Sequence, residues 1–211
     1  MKLPRVYPIL DTQALKARGC DPEGAARAWL DGGAGILQFR HKAPWTRPVS
    51  EQAERIAGCC RERGAMFVVN DRADMAMLLG AGLHVGQDDL PPADARRLLG
   101  ARALVGYSTH NPSQIDTAAV EPVDYVAFGP IFPTASKQKP DAVVGVDELR
   151  KCRVRCRRPL VAIGGITRDT AAAVFAAGAD SIAVIGDLLP DECTAANLQR
   201  RMEEWQQLAQ K

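Results

Sequence analysis

The chain has 211 residues, of which 46% are hydrophobic, which is enough to bury a substantial core. Its 27 basic and 25 acidic residues give a formal net charge of +2, and this balance argues against nucleic acid or a membrane surface as partner. The apolar runs are too short for a transmembrane helix, and no apolar signal core follows residues 1–5, so we expect a cytoplasmic protein.

Eight short apolar runs alternate with segments of helical composition along the chain. Strands this apolar are typical of a parallel sheet that helices cover on both faces. The predicted strands are residues 5–9, 35–40, 66–69, 83–85, 103–106, 125–128, 160–163 and 181–185. The predicted helices are residues 22–30, 51–63, 73–79, 93–99, 170–177 and 195–208, with a shorter candidate at 146–153 and a weaker pattern at 112–120.

Strict alternation over eight units predicts a closed (β/α)8 TIM barrel, and no shift in composition divides residues 1–211 into two domains. A doubly wound open sheet is the alternative, and the number of strands disfavours it. The longest stretch without a predicted element is residues 129–145. Loops of that length are usually functional, and the hydroxyl and cationic residues here suggest a lid over an anion.

The chain has six cysteines, without the C-x2-C spacing of a structural zinc site, and its three histidines lie elsewhere in the sequence. We therefore expect reduced thiols, some of them packing as small hydrophobic side chains. The cysteines are Cys20, Cys59, Cys60, Cys152, Cys156 and Cys193.

Polar side chains end the second predicted strand, at alternate positions. Gln38, Arg40 and Lys42 should project from one face, because successive side chains of a strand point to opposite faces. One amide beside two cations suits a polar ring that carries a phosphate or diphosphate. The alternative is a solvated strand end with two surface cations.

Carboxylates follow the third and fourth predicted strands. In a barrel these strand ends open on the same face, so Asp71 and Asp89 (or Asp88) should lie close together. Two carboxylates near substrate phosphates are a usual arrangement for Mg²⁺. The alternative, which does not exclude the first, is that each aspartate caps the helix that follows it.

Other strand ends give weaker signals. Gly164 and Gly165 follow the seventh strand, where a glycine turn can bind phosphate through backbone N–H groups. We expect His84 to be buried and hydrogen-bonded, whereas His110 suits structural support and a site role equally well. Trp45 fits either a rim position or ordinary packing. No Gly-x-Ser-x-Gly elbow or cysteine–histidine spacing indicates a side-chain nucleophile.

Together these motifs resemble the thiamine-phosphate synthase family, in the family's order, over about residues 5–190. They are Gln38-x-Arg40-x-Lys42, Asn70-Asp71-Arg72, Gly86-Gln87-x-Asp89-Leu90, Gly106-x-Ser108-Thr109-His110, Asp124-Tyr125, Gly129-Pro130-Ile131-Phe132-Pro133-Thr134-x-Ser136-Lys137 and Ala162-Ile163-Gly164-Gly165-Ile166.

The resemblance implies a (β/α)8 transferase that joins a hydroxymethylpyrimidine diphosphate to a thiazole phosphate and releases diphosphate. Ionisation of the pyrimidine diphosphate gives a carbocation, which the thiazole nitrogen captures. Arg40, Lys42, Lys137 and Mg²⁺ would stabilise the charge on the departing diphosphate. The partners it implies are these two small molecules. Whether the chain forms a homo-oligomer is left open.

Residue by residue, the resemblance assigns three groups. Asp71 and Asp89 would hold Mg²⁺. The residues that would hold the pyrimidine diphosphate are Gln38, Arg40, Lys42, Asn70, Ser108 and Lys137. The residues that would hold the thiazole phosphate are Thr134, Ser136, Gly165, Ile185 and Gly186. Two positions depart from the family pattern, which usually has Glu in place of His41 and Ser in place of Gly186.

Two other functions stay open at this point. A thiazole tautomerase of the same superfamily would use the thiazole phosphate alone, and it would not need both cations together with both aspartates. A non-catalytic phosphate-binding barrel would gain nothing from the full set of charges, since charge that binds nothing is expensive to bury.

Overall fold

The computed structural model describes residues 2–134 and 141–210, which contain a closed parallel barrel of eight strands in sequence order. β8 pairs with β1 and so closes the sheet. This confirms the predicted (β/α)8 barrel. The strands are β1 (Val6–Asp11), β2 (Ile36–Arg40), β3 (Met66–Asn70), β4 (Gly82–Val85), β5 (Val105–Thr109), β6 (Tyr125–Phe128), β7 (Leu160–Ile163) and β8 (Ser181–Val184).

Helices follow the strands and surround the barrel. They are α1 (Thr12–Ala17), α2 (Pro22–Asp31), α3 (Arg47–Glu62), α4 (Ala73–Leu79), α5 (Pro92–Leu99), α6 (Pro112–Ala118), α7 (Gly145–Arg155), α8 (Arg168–Ala176) and α9 (Ala195–Ala209). A 3-10 helix, η1 (Gly186–Leu188), separates β8 from α9.

One helix and one strand illustrate the differences from the sequence-based expectation. The short α1 was not predicted; it begins where Asp11 accepts a hydrogen bond from the backbone N–H of Ala14, 2.8 Å away. The prediction of 103–106 for the fifth strand began too early. The strand instead continues through Ser108 and Thr109, whose polarity a hydropathy pattern does not mark as strand.

Strand residues alternate between two cores. Side chains from one set fill the barrel interior, and those from the other set pack against the helices. The interior includes Tyr7, Val68 and Tyr125, whereas Leu10, Phe39 and Val69 face the helices. The polar side chains that share the interior face therefore collect at the carboxyl end of the barrel.

The cysteine prediction needs correction. Cys20 and Cys193 form a disulfide with a Cα–Cα distance of 5.4 Å, which joins positions 173 residues apart in sequence. The other four cysteines are free and buried, as expected. Burial raises the pKa of Cys60 to about 12, so its thiol stays protonated and unreactive at neutral pH.

Among the residues that the structure describes, none of the helices has the length and apolar character that crossing a membrane requires. The cytoplasmic location stays a prediction.

Candidate active site

The end of β2 carries the predicted row of polar side chains. Gln38 is buried, Arg40 is half-buried at the last position of the strand, and Lys42 lies two residues beyond it. Arg40 pairs with Asp11, the last residue of β1, which lies opposite it in the strand register. The sequence did not indicate Asp11, because the predicted first strand ends at residue 9, whereas β1 continues to Asp11. A buried carboxylate thus orients Arg40 at the carboxyl end of the barrel, which we call the mouth.

Lys42 reaches the next strand end along the barrel. Its ammonium donates a hydrogen bond to the carboxylate of Asp71, which follows β3. Asp71 has a left-handed backbone with φ of 64°, the only non-glycine residue with positive φ in the described part of the chain. Such a conformation is uncommon for residues other than glycine and is often found at functional sites.

Asp89 lies close enough to Asp71 to affect the pKa of Asp71. Burial is the main cause that raises the pKa of Asp71 above its ordinary value, and Asp89 raises it further, whereas Lys42 lowers it. A carboxylate that is buried beside another carboxylate gains from a nearby cation. The pair therefore suits a divalent metal ion.

The capping alternative is wrong for both aspartates. Among the described residues, neither carboxylate caps a helix, because α4 follows Arg72 and α5 follows Pro91 without side-chain cap hydrogen bonds. Asp89 instead accepts a hydrogen bond of 2.7 Å from the backbone N–H of Gly86. The described ranges contain no cluster of three metal-ligating side chains, so a metal ion here would depend on two carboxylates and on substrate oxygens.

Two neutral residues complete this part of the mouth. Asn70 ends β3 and is buried, and its side-chain Nδ2 has no hydrogen-bond partner among residues 2–134 and 141–210. Ser108 lies on β5, and its hydroxyl is 2.9 Å from Nε2 of His84. His84 is buried and hydrogen-bonded, as predicted. An unsatisfied buried amide is costly and suits a ligand that would pair with it.

Phe39 on β2, and His41 and Trp45 just after it, pack together on the side away from the cationic row. His41 stacks on Phe39, and Trp45 meets both rings edge-on. Nδ1 of His41 lies 2.8 Å from the hydroxyl of Thr12. Trp45 is therefore a packing residue, and the departure of His41 from the family pattern falls outside the cationic row.

The loop after β6 lies along the end of β7. The backbone N–H groups of Ile131 and Phe132 donate to the carbonyls of Ile163 and Gly164, at 2.9 and 3.0 Å. Thr134 is the last described residue of this segment. The predicted site residues Ser136 and Lys137 lie outside the described residues, and the lid expectation stays a prediction.

His110 supports the same loop. Its Nδ1 lies 2.7 Å from the carbonyl oxygen of Gly129 and 3.5 Å from a carboxylate oxygen of Asp141. Its backbone N–H also donates to the side-chain oxygen of Gln114. The structure thus favours the structural role for His110.

The glycine turn after β7 packs tightly. Gly165 has a φ of 63°, and a side chain there would come within 2.4 Å of the carbonyl oxygen of Pro133. On the next strand, Ile185 precedes η1, which begins at Gly186. A Cβ added at Gly186 would meet nothing within 4 Å, so open space lies beside this backbone.

Comparison with known proteins identifies relatives along nearly the whole chain. Residues 6–188 match the family model for thiamine monophosphate synthase. A thiamine-phosphate synthase of Koribacter versatilis is 46% identical over 197 residues, which cover 90% of this chain and 92% of that protein. One from Chloroflexus aurantiacus is 42% identical, covering 93% of this chain and 91% of that protein. The structure of a thiamine phosphate pyrophosphorylase from Pyrococcus furiosus superposes with a TM-score of 0.83 at 29% identity, covering 98% of this chain and 95% of that one.

Proposed function

Because the chain belongs to the thiamine monophosphate synthase family and is a transferase that makes thiamine phosphate, we propose that its barrel mouth works by ionising a pyrimidine diphosphate. The substrates are a 4-amino-2-methylpyrimidine carrying a diphosphomethyl group and a thiazole phosphate. The C–O bond to the diphosphate breaks first, which leaves a pyrimidine methyl cation. The thiazole nitrogen then donates its electron pair to that carbon.

Arg40, at the end of β2, and Lys42, two residues beyond it, would supply most of the stabilisation of the leaving group. The leaving diphosphate gains negative charge as the C–O bond breaks, and Arg40 and Lys42 would stabilise that charge. Asp11 holds the guanidinium of Arg40 in place before substrate arrives, so little reorganisation is needed during the reaction. Lys137 would add a third cation from the loop after β6.

Asp71 and Asp89 are the residues that would hold Mg²⁺. Burial and the neighbouring Asp89 raise the pKa of Asp71, which supports this assignment, because a buried carboxylate pair gains from a divalent ion. When bound, Mg²⁺ would neutralise charge on the diphosphate oxygens. Lys42, which donates a hydrogen bond to Asp71, would contribute the neighbouring positive charge.

Neutral groups bind the ring of the pyrimidine substrate and its diphosphate. Gln38 on β2, Asn70 on β3 and Ser108 on β5 offer amide and hydroxyl groups. The buried Nδ2 of Asn70, unpaired among the described residues, is a donor for a substrate oxygen. The reaction needs no side-chain nucleophile, since the leaving group departs before the new bond forms.

The thiazole phosphate would bind on the opposite side of the mouth. We assign it to Thr134, Ser136, Gly165, Ile185 and Gly186. Open space beside Gly186 and the tight turn at Gly165 leave backbone N–H groups near the phosphate rather than bulky side chains. Positive charge on one side and backbone donors on the other would separate the diphosphate from the monophosphate.

The observation that carries this mechanism is a pair of cations at one end of the barrel: Arg40 pairs with Asp11, and Lys42 pairs with Asp71 beside Asp89. To test it, the protein is incubated with both substrates and Mg²⁺, and thiamine phosphate and diphosphate are quantified. We expect equimolar products that depend on Mg²⁺, and a loss of about 100-fold or more in Arg40→Ala.

Product formation at an unchanged rate in Arg40→Ala would contradict the assigned role of that cation. Absence of product from the wild-type protein, with binding of either substrate demonstrated, would contradict the proposed function. Isomerisation of the thiazole phosphate without pyrimidine diphosphate or metal would indicate the tautomerase instead.

A further inference from the structure

A chain of hydrogen bonds crosses the barrel interior and ends at two of the assigned substrate residues. Nε2 of Gln38 donates to the hydroxyl of Tyr7 at 3.1 Å, and the hydroxyls of Tyr7 and Tyr125 lie 2.9 Å apart. Nδ1 of His84 is 3.0 Å from the Tyr125 hydroxyl, and its Nε2 is 2.9 Å from the hydroxyl of Ser108. Three residues that the mechanism does not use thus connect Gln38 to Ser108.

The two tyrosines are fully enclosed and neutral. Tyr7 and Tyr125 are at most 1% exposed. Burial raises the pKa of Tyr7 to about 12 and that of Tyr125 well above its ordinary value. Their rings meet edge-on with centroids 5.9 Å apart, and Gly106 makes room, since a Cβ there would come within 2.0 Å of the Tyr125 ring. Each hydroxyl therefore has one proton to donate.

One donor at the end of the chain fixes the direction of every bond in it. Because Tyr7 accepts from Gln38, its own proton is available to Tyr125. Tyr125 then donates to Nδ1 of His84, which requires the tautomer with hydrogen on Nε2. Nε2–H donates to Ser108, whose hydroxyl proton remains to be donated elsewhere.

The direction of the chain sets what the site offers to a ligand. One N–H of the Gln38 amide donates to Tyr7, which turns the NH2 group toward that hydroxyl and leaves the side-chain carbonyl oxygen as the acceptor on the other side of the amide. Ser108 is left as a donor. A 4-aminopyrimidine presents an N–H donor on its exocyclic amine, which matches the Gln38 carbonyl. A 4-oxopyrimidine presents an acceptor at the same position and would meet it oxygen to oxygen.

We propose that Tyr7, Tyr125 and His84 are positioning residues that fix the hydrogen-bond polarity of Gln38 and Ser108 and so select 4-aminopyrimidines over 4-oxopyrimidines. This inference rests on the proposed function, because it assumes that the pyrimidine ring binds next to Gln38. Without the Tyr7 hydroxyl, the Gln38 amide loses the partner that holds its orientation, and its NH2 group becomes available to an oxo substituent.

The test measures dissociation constants of the amino and the oxo pyrimidine diphosphates by calorimetry, together with steady-state kinetics. The variants are Tyr7→Phe and Tyr125→Phe, which keep the ring and its volume. Tyr107→Phe is the matched control. Tyr107 is the remaining one of the protein's 3 tyrosines, and it packs against the helices and takes no part in this series of hydrogen bonds. Thermal unfolding confirms that each variant is folded.

We expect the preference for the amino compound to fall about three- to tenfold in Tyr7→Phe and by less in Tyr125→Phe, as for the loss of one neutral hydrogen bond. The KM for the pyrimidine diphosphate should rise while the KM for the thiazole phosphate is unchanged. A purely structural role would weaken both pyrimidines equally. An unchanged preference in either buried variant, or an equal fall in Tyr107→Phe, would overturn the inference.

The two levels of the hypothesis fail separately. Wild-type protein that forms no thiamine phosphate contradicts the proposed function. Wild-type protein that forms it, with buried variants that keep the full preference for the amino compound, contradicts only the role of the chain. Because binding is measured directly, the preference is obtained even for a variant with low turnover.

Discussion

The two ends of the barrel use the same kind of ion pair for different purposes. At the amino end, arginine–aspartate pairs lock the strands together, and each carboxylate also accepts a backbone hydrogen bond. At the carboxyl end, cations and carboxylates pair with each other beside an amide that lacks a partner in the described part of the chain. Charged groups whose hydrogen bonds are all satisfied within the protein contribute to stability. Polar groups that still lack a partner are suited to binding a ligand.

The amino end repeats one arrangement twice. Asp124, just before β6, accepts hydrogen bonds of 2.7 Å from the backbone N–H of Val105 and from the guanidinium of Arg96 on α5. Asp180, just before β8, accepts from the N–H of Leu160 at 2.8 Å and from an arginine of α7, Arg153, at 2.6 Å. Each aspartate therefore joins a helix to the first residue of the preceding strand.

The carboxyl end lacks this closure. Asp71 has a left-handed backbone, and its raised pKa shows that burial and Asp89 together outweigh the help it receives from Lys42. Asn70 next to it keeps an unpaired donor within the described residues. These residues therefore lower the free energy of unfolding, and binding of a divalent cation and a diphosphate would offset that loss.

The largest effect should come from Asp71→Asn at the carboxyl end. Removing the carboxylate would take away one of the two proposed ligands of Mg²⁺, so we expect turnover to fall by about 100-fold or more. Steady-state synthesis of thiamine phosphate at saturating substrates and varied Mg²⁺ is the measurement. Asp74→Asn is the control, because this aspartate lies three residues away on α4 and pairs only with Arg72 among the described residues. Equal turnover in the two variants would refute the role of Asp71.

The complementary change at the amino end is Arg96→Ala. Arg96 is half-buried and donates to Asp124 and also to the carbonyl groups of Ala103 and Pro122. Its loss should lower the free energy of unfolding by about 1–3 kcal/mol, the range for unsatisfied partly buried hydrogen-bonding groups. Denaturant unfolding measures this, and kcat should stay close to that of the wild type. A large fall in kcat with unchanged stability would show that the two ends are not separate in function.

The pH dependence of the free energy of unfolding should also distinguish Asp71 from Asp74. The pKa of Asp71 is raised in the folded protein, mainly by burial, so stability falls as the pH rises from the unfolded pKa to the higher folded pKa, and the full cost remains above it. Asp71→Asn should therefore be more stable than the wild type near neutral pH. This difference should disappear below about pH 4, where the carboxyl is protonated in the unfolded chain as well.

Asp74 has the opposite sign and serves as the control. Arg72 is the main cause that lowers the pKa of Asp74, so its carboxylate favours the folded state. Its contribution is present above its unfolded pKa and is lost as the pH falls through the lower folded value. Asp74→Asn should therefore be no more stable than the wild type near neutral pH. Unfolding free energies compared from pH 3 to pH 7 measure both differences, and a gain in Asp74→Asn would contradict the assignment.

Much of this molecule is readable in the sequence. The strand count, the barrel and the cationic row of β2 follow from apolar runs and alternate positions, because parallel strand ends meet at one face whatever the loops do. The pairing of Asp71 with Lys42 also follows from neighbouring strand ends. The two aspartates that pair with arginines at the amino end of the barrel also have a recognisable position in the sequence, since Asp124 and Asp180 directly precede strands.

The parts that escaped prediction depend on register rather than on pattern. Tyr7 and Tyr125 look like ordinary apolar strand residues, and only the closed sheet brings their hydroxyls together across 118 residues of sequence. Asp11 becomes a site residue because the register of β1 and β2 places it opposite Arg40. The disulfide between Cys20 and Cys193 depends in the same way on how the first and last helices meet the barrel.

The smallest effect concerns the side of the mouth assigned to the thiazole phosphate. Gly186 stands where the family usually has serine, and a Cβ there would meet nothing within 4 Å, so Gly186→Ser should be accommodated without rearrangement. Its hydroxyl would add one hydrogen bond to the phosphate, and we expect the KM for the thiazole phosphate to fall about two- to tenfold. The KM for the pyrimidine diphosphate should not change, because we assign its phosphates to Arg40 and Lys42 on the other side of the barrel end. Gly186→Ala separates the effect of the hydroxyl from that of added bulk, and an equal fall in KM in both variants would mean that the serine of the family acts through packing instead.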